Sequence, residues 1–173
     1  MQSIMISIHP KWVEKIISGE KTIEVRKFIP KCELPFKVYV YKSLGTYKDL
    51  TLNTAIDKNR GKVVAEFIVR DYTKLTPNFP MSILESNSQK AIGDFIKYLE
   101  SGKKFTYAYD ISNLKVYDKP KGLGEFRGKC PKQAIKRSLE NADCVCEYYC
   151  CINGCLNKIT KAPQNFVYVE DSE

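Results

Sequence analysis

Histidine, tryptophan and long apolar runs are what this chain of 173 residues has least of. The one histidine, His9, stands just before Pro10 at the end of an alternating segment. A capping or packing role at a strand-to-helix junction is expected of it, ahead of catalysis or metal binding. The longest apolar run, Val63 to Val69, is interrupted by Glu66. It falls far short of the ~20 residues that a membrane-spanning helix needs and reads as a buried strand. The first eight residues carry neither a basic start nor a long apolar stretch, so no export signal is expected. The expected compartment is the cytoplasm, that of a phage-infected host included, with no membrane partner. Also missing are G-x-G-x-x-G, a Walker loop, H-E-x-x-H and G-x-S-x-G. Their absence leaves the dinucleotide, P-loop, zinc-protease and nucleophile-elbow chemistries poorly supported. No repeat, low-complexity stretch or long linker divides the chain.

What is present is ordinary globular composition: 43% hydrophobic and 28% charged residues, enough for one domain with its own core. Basic residues exceed acidic ones, 28 against 20, for a net charge of +8. The excess is uneven. Residues 103–137 hold Lys103, Lys104, Lys115, Lys119, Lys121, Arg127, Lys129, Lys132, Lys136 and Arg137 against only Asp110, Asp118 and Glu125. The last residues turn acidic with Glu170, Asp171 and Glu173. Aromatics interleave the basic stretch at Phe105, Tyr107, Tyr109, Tyr117 and Phe126. Such a pattern suits a polyanion binder, with Lys103, Lys104, Lys115, Lys119, Lys121 and Arg127 as backbone contacts. It equally suits a solvated lysine-rich surface kept for solubility.

Six of the seven cysteines come late: Cys130, Cys144, Cys146, Cys150, Cys151 and Cys155. In a reducing compartment they are thiols or metal ligands before they are disulfides. Cys144, Cys146, Cys150 and Cys155 form a candidate tetrahedral zinc set, structural in kind, although the spacing is not that of paired C-x-x-C motifs. The alternative is a group of reduced, partly buried thiols in a short insertion. Cys32 stands apart as a small buried hydrophobe.

Periodicity sketches an α+β chain. Ile4, Ile6 and Ile8 alternate as a half-buried strand. Pro10 opens a helix whose stripe is Trp12, Val13, Ile16 and Ile17, and Gly19 stops it. Lys21 to Lys27 alternates again, Ile23 and Val25 on one side and Thr22, Glu24 and Arg26 on the other. Further strands are expected at 36–42, 62–71, 105–109, 114–117 and 165–169, and helices at 81–99 and 131–139. Residues 44–61 read as a surface loop. Five or six short strands with so few helices favour a mixed, curled sheet or small barrel with peripheral short helices.

One segment carries recognisable chemistry. Gly19 to Arg26 has the form G-x-K-x-x-E-x-R. Glu24 and Arg26 share a strand face, and Lys21 enters just after the turn. Such a trio can hold a phosphate, orient a base edge or tune a proton-transfer group. It can also be a solvated ladder of ion pairs worth little. Glu66, inside an apolar run, is either a strand-edge charge or a buried carboxylate that needs Lys21 or Arg26 as partner. Ser43 ends a strand, where a ligand contact and turn formation explain it equally well. Trp12, on the helix stripe, reads as a core anchor. Tyr39 with Tyr41, and Tyr107 with Tyr109, are more often core pairs than base-stacking platforms.

This segment resembles the ASCH domain family of the PUA-like superfamily, phage and bacterial members in particular. The resemblance extends to Ser7-Ile8-His9-Pro10-Lys11, 37–43, 61–67, 107–120 and 162–170, in the same order along the chain. It implies a PUA-like small mixed β-barrel over 1–125, with a basic, Cys-rich insertion at 126–160 and a closing strand and acidic tail at 161–173. It implies a cleft beside G-x-K-x-x-E-x-R, with Lys21, Glu24, Arg26, Ser43 and Glu66 as ligand-binding residues. The implied partner is RNA, another nucleic acid or a modified nucleoside, in a regulatory role related to transcription. One branch of the family removes the acetyl group of N4-acetylcytidine with a Lys and a Thr of the motif and a later Glu. Lys21 matches that Lys, whereas Glu24 stands where the Thr would be, so the hydroxyl is absent. Glu66 is the nearest candidate for the later Glu. If this chain were an enzyme, Lys21 and Glu24 would be its catalytic residues. A third reading is a phage-type accessory protein that binds a host protein.

Overall fold

The computed structural model describes residues 1–45, 57–76, 105–128 and 158–170. Most of the expected 44–61 loop, the helices at 81–99 and 131–139, Lys103, Lys104 and all six late cysteines lie outside the described residues, and so does the candidate zinc set.

The first half of the fold follows from its alternation. β1, Ser3–Ile8, turns Ile4, Ile6 and Ile8 into one core and Met5 into another. Helix α1, Pro10–Ile17, begins where the His9 side chain accepts a hydrogen bond from the Lys11 N–H at 3.4 Å. Pro10 needs no such partner, having no N–H to satisfy. Val13 and Ile16 are buried. Gly19 ends the helix with φ +78, the left-handed region that favours glycine. The chain then folds back, the Lys21 N–H donating to the Lys15 carbonyl at 2.8 Å, into β2, Ile23–Arg26.

The remaining strands are β3 Phe36–Lys42, β4 Lys62–Val69, β5 Tyr72–Leu75, β6 Thr106–Asp110, β7 Ser112–Lys121, β8 Arg127–Gly128 and β9 Val167–Glu170. Of the nine strands, six form one sheet in the order β7-β4-β3-β1-β9-β8, and β2-β6-β5 form a second. Among the described residues only the β1–β3 pair is parallel. The edge strands β7 and β8 of the larger sheet are joined through the single turn Leu123–Glu125. Phe126, just after that turn, packs on Tyr39 of the central β3 with ring centroids 5.0 Å apart. The sheet therefore curls around a core of Met5, Tyr39, Tyr41, Val63, Phe126, Ile159 and Val169. Its other face, with Ile4, Ile6, Phe36, Val38, Val40 and Phe67, packs against α1 and Tyr109 of the smaller sheet.

The architecture is mostly sheet with one helix among the described residues. The expected closed barrel is not seen there: the strands divide into two sheets, and no ladder joins β7 to β8. Nine strands are described where five or six were expected. Phe126 and Ile159, inside the expected 126–160 insertion, are core residues, so the ends of that stretch belong to the sheet. No helix among the described residues is long and apolar enough to cross a membrane.

Candidate ligand-binding site

A cavity of about 290 Å³ opens where β1 meets α1 and β2. It is lined by Ser7, Ile8, His9, Trp12, Lys21, Glu24, Val25, Arg26, Lys27 and Thr106. Its size lies at the lower end of the range of ligand pockets, roughly 300–1,000 Å³, and suits one nucleoside-sized group.

The G-x-K-x-x-E-x-R element supplies the floor. Lys21 and Glu24 are only 8% and 6% exposed. The Lys21 Nζ donates to Glu24 Oε2 at 2.8 Å and to the Ile23 carbonyl at 2.5 Å. Arg26 Nη1 lies 3.5 Å from Glu24 Oε1 and donates to the Ser7 carbonyl at 3.2 Å. Arg26 Nη2 donates to the Asn165 carbonyl at 2.5 Å, which ties β2 to the segment entering β9. Ser7 closes the same seam, its hydroxyl donating to the Pro163 carbonyl at 2.7 Å. A buried charge costs several kcal/mol unless it is paired and hydrogen-bonded, and here each is. Two cations against one carboxylate leave the group with a net charge of about +1, so the floor favours an anionic or electron-rich ligand.

The walls are less polar. Trp12 is half-buried: it packs against the core and also faces the cavity, with Lys21 Nζ 5.8 Å from its ring centroid. Thr106 donates through its hydroxyl to the Arg26 carbonyl at 2.6 Å and thereby pins the end of β2 to β6. Behind Glu24, burial pushes the Tyr109 phenol well above its ordinary range, and its hydroxyl donates to the Phe28 carbonyl at 2.5 Å.

The structure thus brings Lys21, Glu24 and Arg26 together in one hollow, and leaves Glu66 and Ser43 out of it. Glu66 takes a hydrogen bond from the Tyr117 hydroxyl at 2.5 Å. It lies opposite Tyr39 in the β3–β4 register, on the sheet face that points away from the cavity. Of the two readings of Glu66, the pairing with Lys21 or Arg26 is not found: both cations meet Glu24. The Ser43 N–H donates to the Ile8 carbonyl at 2.9 Å and extends the β1–β3 pairing, and Ser43 does not line the cavity. Lys115, Lys119, Lys121 and Arg127 are exposed on β7 and β8 of the larger sheet, away from the cavity. His9, Trp12 and Thr106 are cavity residues that the sequence reading did not assign to the site. The signal for Trp12 was its position at the border of the helix stripe, from which a large ring reaches both core and cavity.

Two crystal structures of variants of the ASCH protein from Zymomonas mobilis resemble this fold. The serine-to-alanine variant has a TM-score of 0.56 at 16% identity, covering 98% of this chain and 89% of its own. The fold is that of an ASCH domain. The tyrosine-to-phenylalanine variant gives a TM-score of 0.50 at the same 16% identity, covering 99% of this chain and 92% of its own. At that identity the likeness is one of fold. No family model and no curated protein sequence matches the chain. In this ASCH fold the cavity sits at the C-terminal end of β1, where its chain leaves the sheet for the helix.

Proposed function

We propose that this ASCH-fold protein binds nucleic acid and seats one nucleotide, of RNA or a modified base, in the cavity above Lys21, Glu24 and Arg26. The observation that carries this reading is the convergence of those three charged groups in one cavity that Trp12 also lines, with Lys21 Nζ 5.8 Å from its ring centroid. A base held there stacks on the indole, a contact that every base offers because every base has a π-face. Glu24 accepts from an exocyclic amine, since each carboxylate oxygen keeps a lone pair beyond its bond to Lys21 or Arg26. The cationic pair favours phosphate or carbonyl oxygens. The exposed Lys115, Lys119, Lys121 and Arg127 add salt-sensitive contacts to the strand outside. Fluorescence anisotropy with RNA and DNA oligomers over a salt series tests this. Affinity should fall steeply with salt and be lost on Arg26→Ala; a flat salt response contradicts it.

A second reading rests on the buried Lys21–Glu24 contact of 2.8 Å. A lysine and a carboxylate held together out of water can move a proton between water and an acylated amine. The reaction would be hydrolysis of an N4-acetylcytidine-type nucleoside, releasing acetate and the free amine, with Glu24 in place of a hydroxyl. Incubation with N4-acetylcytidine followed by chromatography decides it: cytidine release that Lys21→Ala abolishes supports the enzyme, and no turnover removes it.

A further inference from the structure

The cavity holds one nucleoside-sized group, so the rest of a bound strand must lie outside it. The smaller sheet offers a path. Arg26 of β2 lies opposite Tyr107 of β6, and Tyr107 lies opposite Lys74 of β5. Residues in register across neighbouring strands project from the same face, so Arg26, Tyr107 and Lys74 form one row across the sheet. Arg26 is a cavity residue, and Lys74 is exposed at the far end. Phe105 lies next to this row. Its ring meets Tyr107 edge-on at 5.8 Å, and Tyr107 meets Tyr72 in the same way at 5.9 Å. Phe105 is 40% exposed, and the Lys74 ammonium sits 4.3 Å from its ring centroid. An isolated exposed Phe needs no explanation. This one ends a run of aromatic side chains that starts in the core and carries a lysine over its outermost ring.

We infer that this row is a second subsite for single-stranded nucleic acid, resting on the proposed occupation of the cavity. The nucleotide next to the one in the cavity stacks its base on Phe105, with Tyr107 at its edge, and its phosphate is drawn to Lys74. Flat rings beside cations are what sequence-tolerant strand binding uses, because stacking works with any base and the cations follow the backbone. Charge supports a polynucleotide as occupant: the row carries Arg26 and Lys74, and the acid beside it, Glu24, is shared between Arg26 and Lys21, in a chain of net charge +8.

Isothermal titration calorimetry with cytidine monophosphate and with RNA and DNA tetranucleotides tests the inference on the full chain. Phe105→Ala should leave the mononucleotide affinity unchanged and weaken tetranucleotides about ten-fold, the factor expected for one lost stacking contact. Phe105→Leu, which keeps the bulk but not the ring, should lose as much, and Phe105→Trp should restore it. Lys74→Gln should lower the slope of log affinity against log salt by about 0.7. Equal tetranucleotide affinities in the wild type, Phe105→Ala and Phe105→Leu overturn the subsite and leave the cavity reading standing. Tetranucleotide binding that depends on Phe105 without any mononucleotide binding upholds the subsite and removes the cavity reading.

Discussion

Two lysines are buried among the described residues, and their surroundings differ. Lys21 is 8% exposed and Lys42 is 4% exposed. Lys42, the last residue of β3, reaches Glu14 of α1 and bonds Asp57 at 2.6 Å. Both of its carboxylates reach water, Glu14 with its side chain 64% exposed and Asp57 with 28%. It clamps the helix and the chain entering β4 onto the sheet, and it is not among the residues that line the cavity beside Lys21. Lys21 has the reverse arrangement: its carboxylate, Glu24, is 8% exposed, and the pair borders a hollow able to admit a ligand. Two ammonium groups of similar burial thus divide into a clamp and a site, and the partner's access to water separates them. When a clamp loses its lysine, the acids turn outward. When the site loses its lysine, an acid stays buried.

The largest effect expected from this comparison is on Lys21→Met, which strands Glu24 with only the longer contact to Arg26. It should cost about 3 kcal/mol in urea unfolding, in line with breaking one side of a buried ion pair. The double variant Lys21→Met/Glu24→Gln should regain more than half of that loss and still bind no nucleotide. Lys42→Met should cost less, about 2 kcal/mol, the scale of lost hydrogen bonds to charged groups. It should leave nucleotide affinity unchanged. Equal costs with equal loss of binding would erase the distinction.

The Lys42 clamp should also carry a pH signature. Burial works against its charge, but the bonds to Asp57 and Glu14 outweigh this and raise its pKa above 10.5. Burial likewise opposes the charge on Asp57, and the bond from Lys42 with the backbone bond from Asn59 brings its pKa below 3.8. A raised lysine contributes stability that is complete below its unfolded value and fades as pH climbs through the folded one. A depressed aspartate contributes stability that is complete above its unfolded value and fades as pH falls through the folded one. The stability difference between wild type and Lys42→Met should therefore stay flat from about pH 5 to about pH 10 and shrink on either side. The smallest effect belongs to the surface pair Lys15–Glu20, 2.8 Å apart with Glu20 61% exposed. Lys15→Ala should change stability by less than about 0.5 kcal/mol.

Much of this was legible in the amino-acid order. Glu24 and Arg26 sit two apart on a strand after a glycine turn, so alternation alone puts them on one face, and the short return from α1 brings Lys21 beside them. The Ile4, Ile6 and Ile8 alternation likewise announced β1. Local periodicity does not say which face of a sheet looks at which core, and that is why Glu66 was placed with Lys21 although β4 turns it toward Tyr117. It also cannot join distant segments. The Lys42 clamp draws on Glu14 and Asp57, and no spacing rule links those three. β5 is four residues long and exists through its pairing with β6, so its own sequence gave no sign of it. Trp12 was hidden by its size, for one ring serves core and cavity together.

The central claim is that the hollow above Lys21, Glu24 and Arg26 receives a base. Trp12 is the sole tryptophan and lines that hollow, so its fluorescence reports occupancy without a label. Titration with cytidine monophosphate and with N4-acetylcytidine should quench or shift its emission saturably in the wild type and in Lys42→Met, and leave Lys21→Met/Glu24→Gln unchanged. Emission indifferent to every nucleotide, in a wild-type protein that still binds oligomers, would place binding elsewhere and contradict the account.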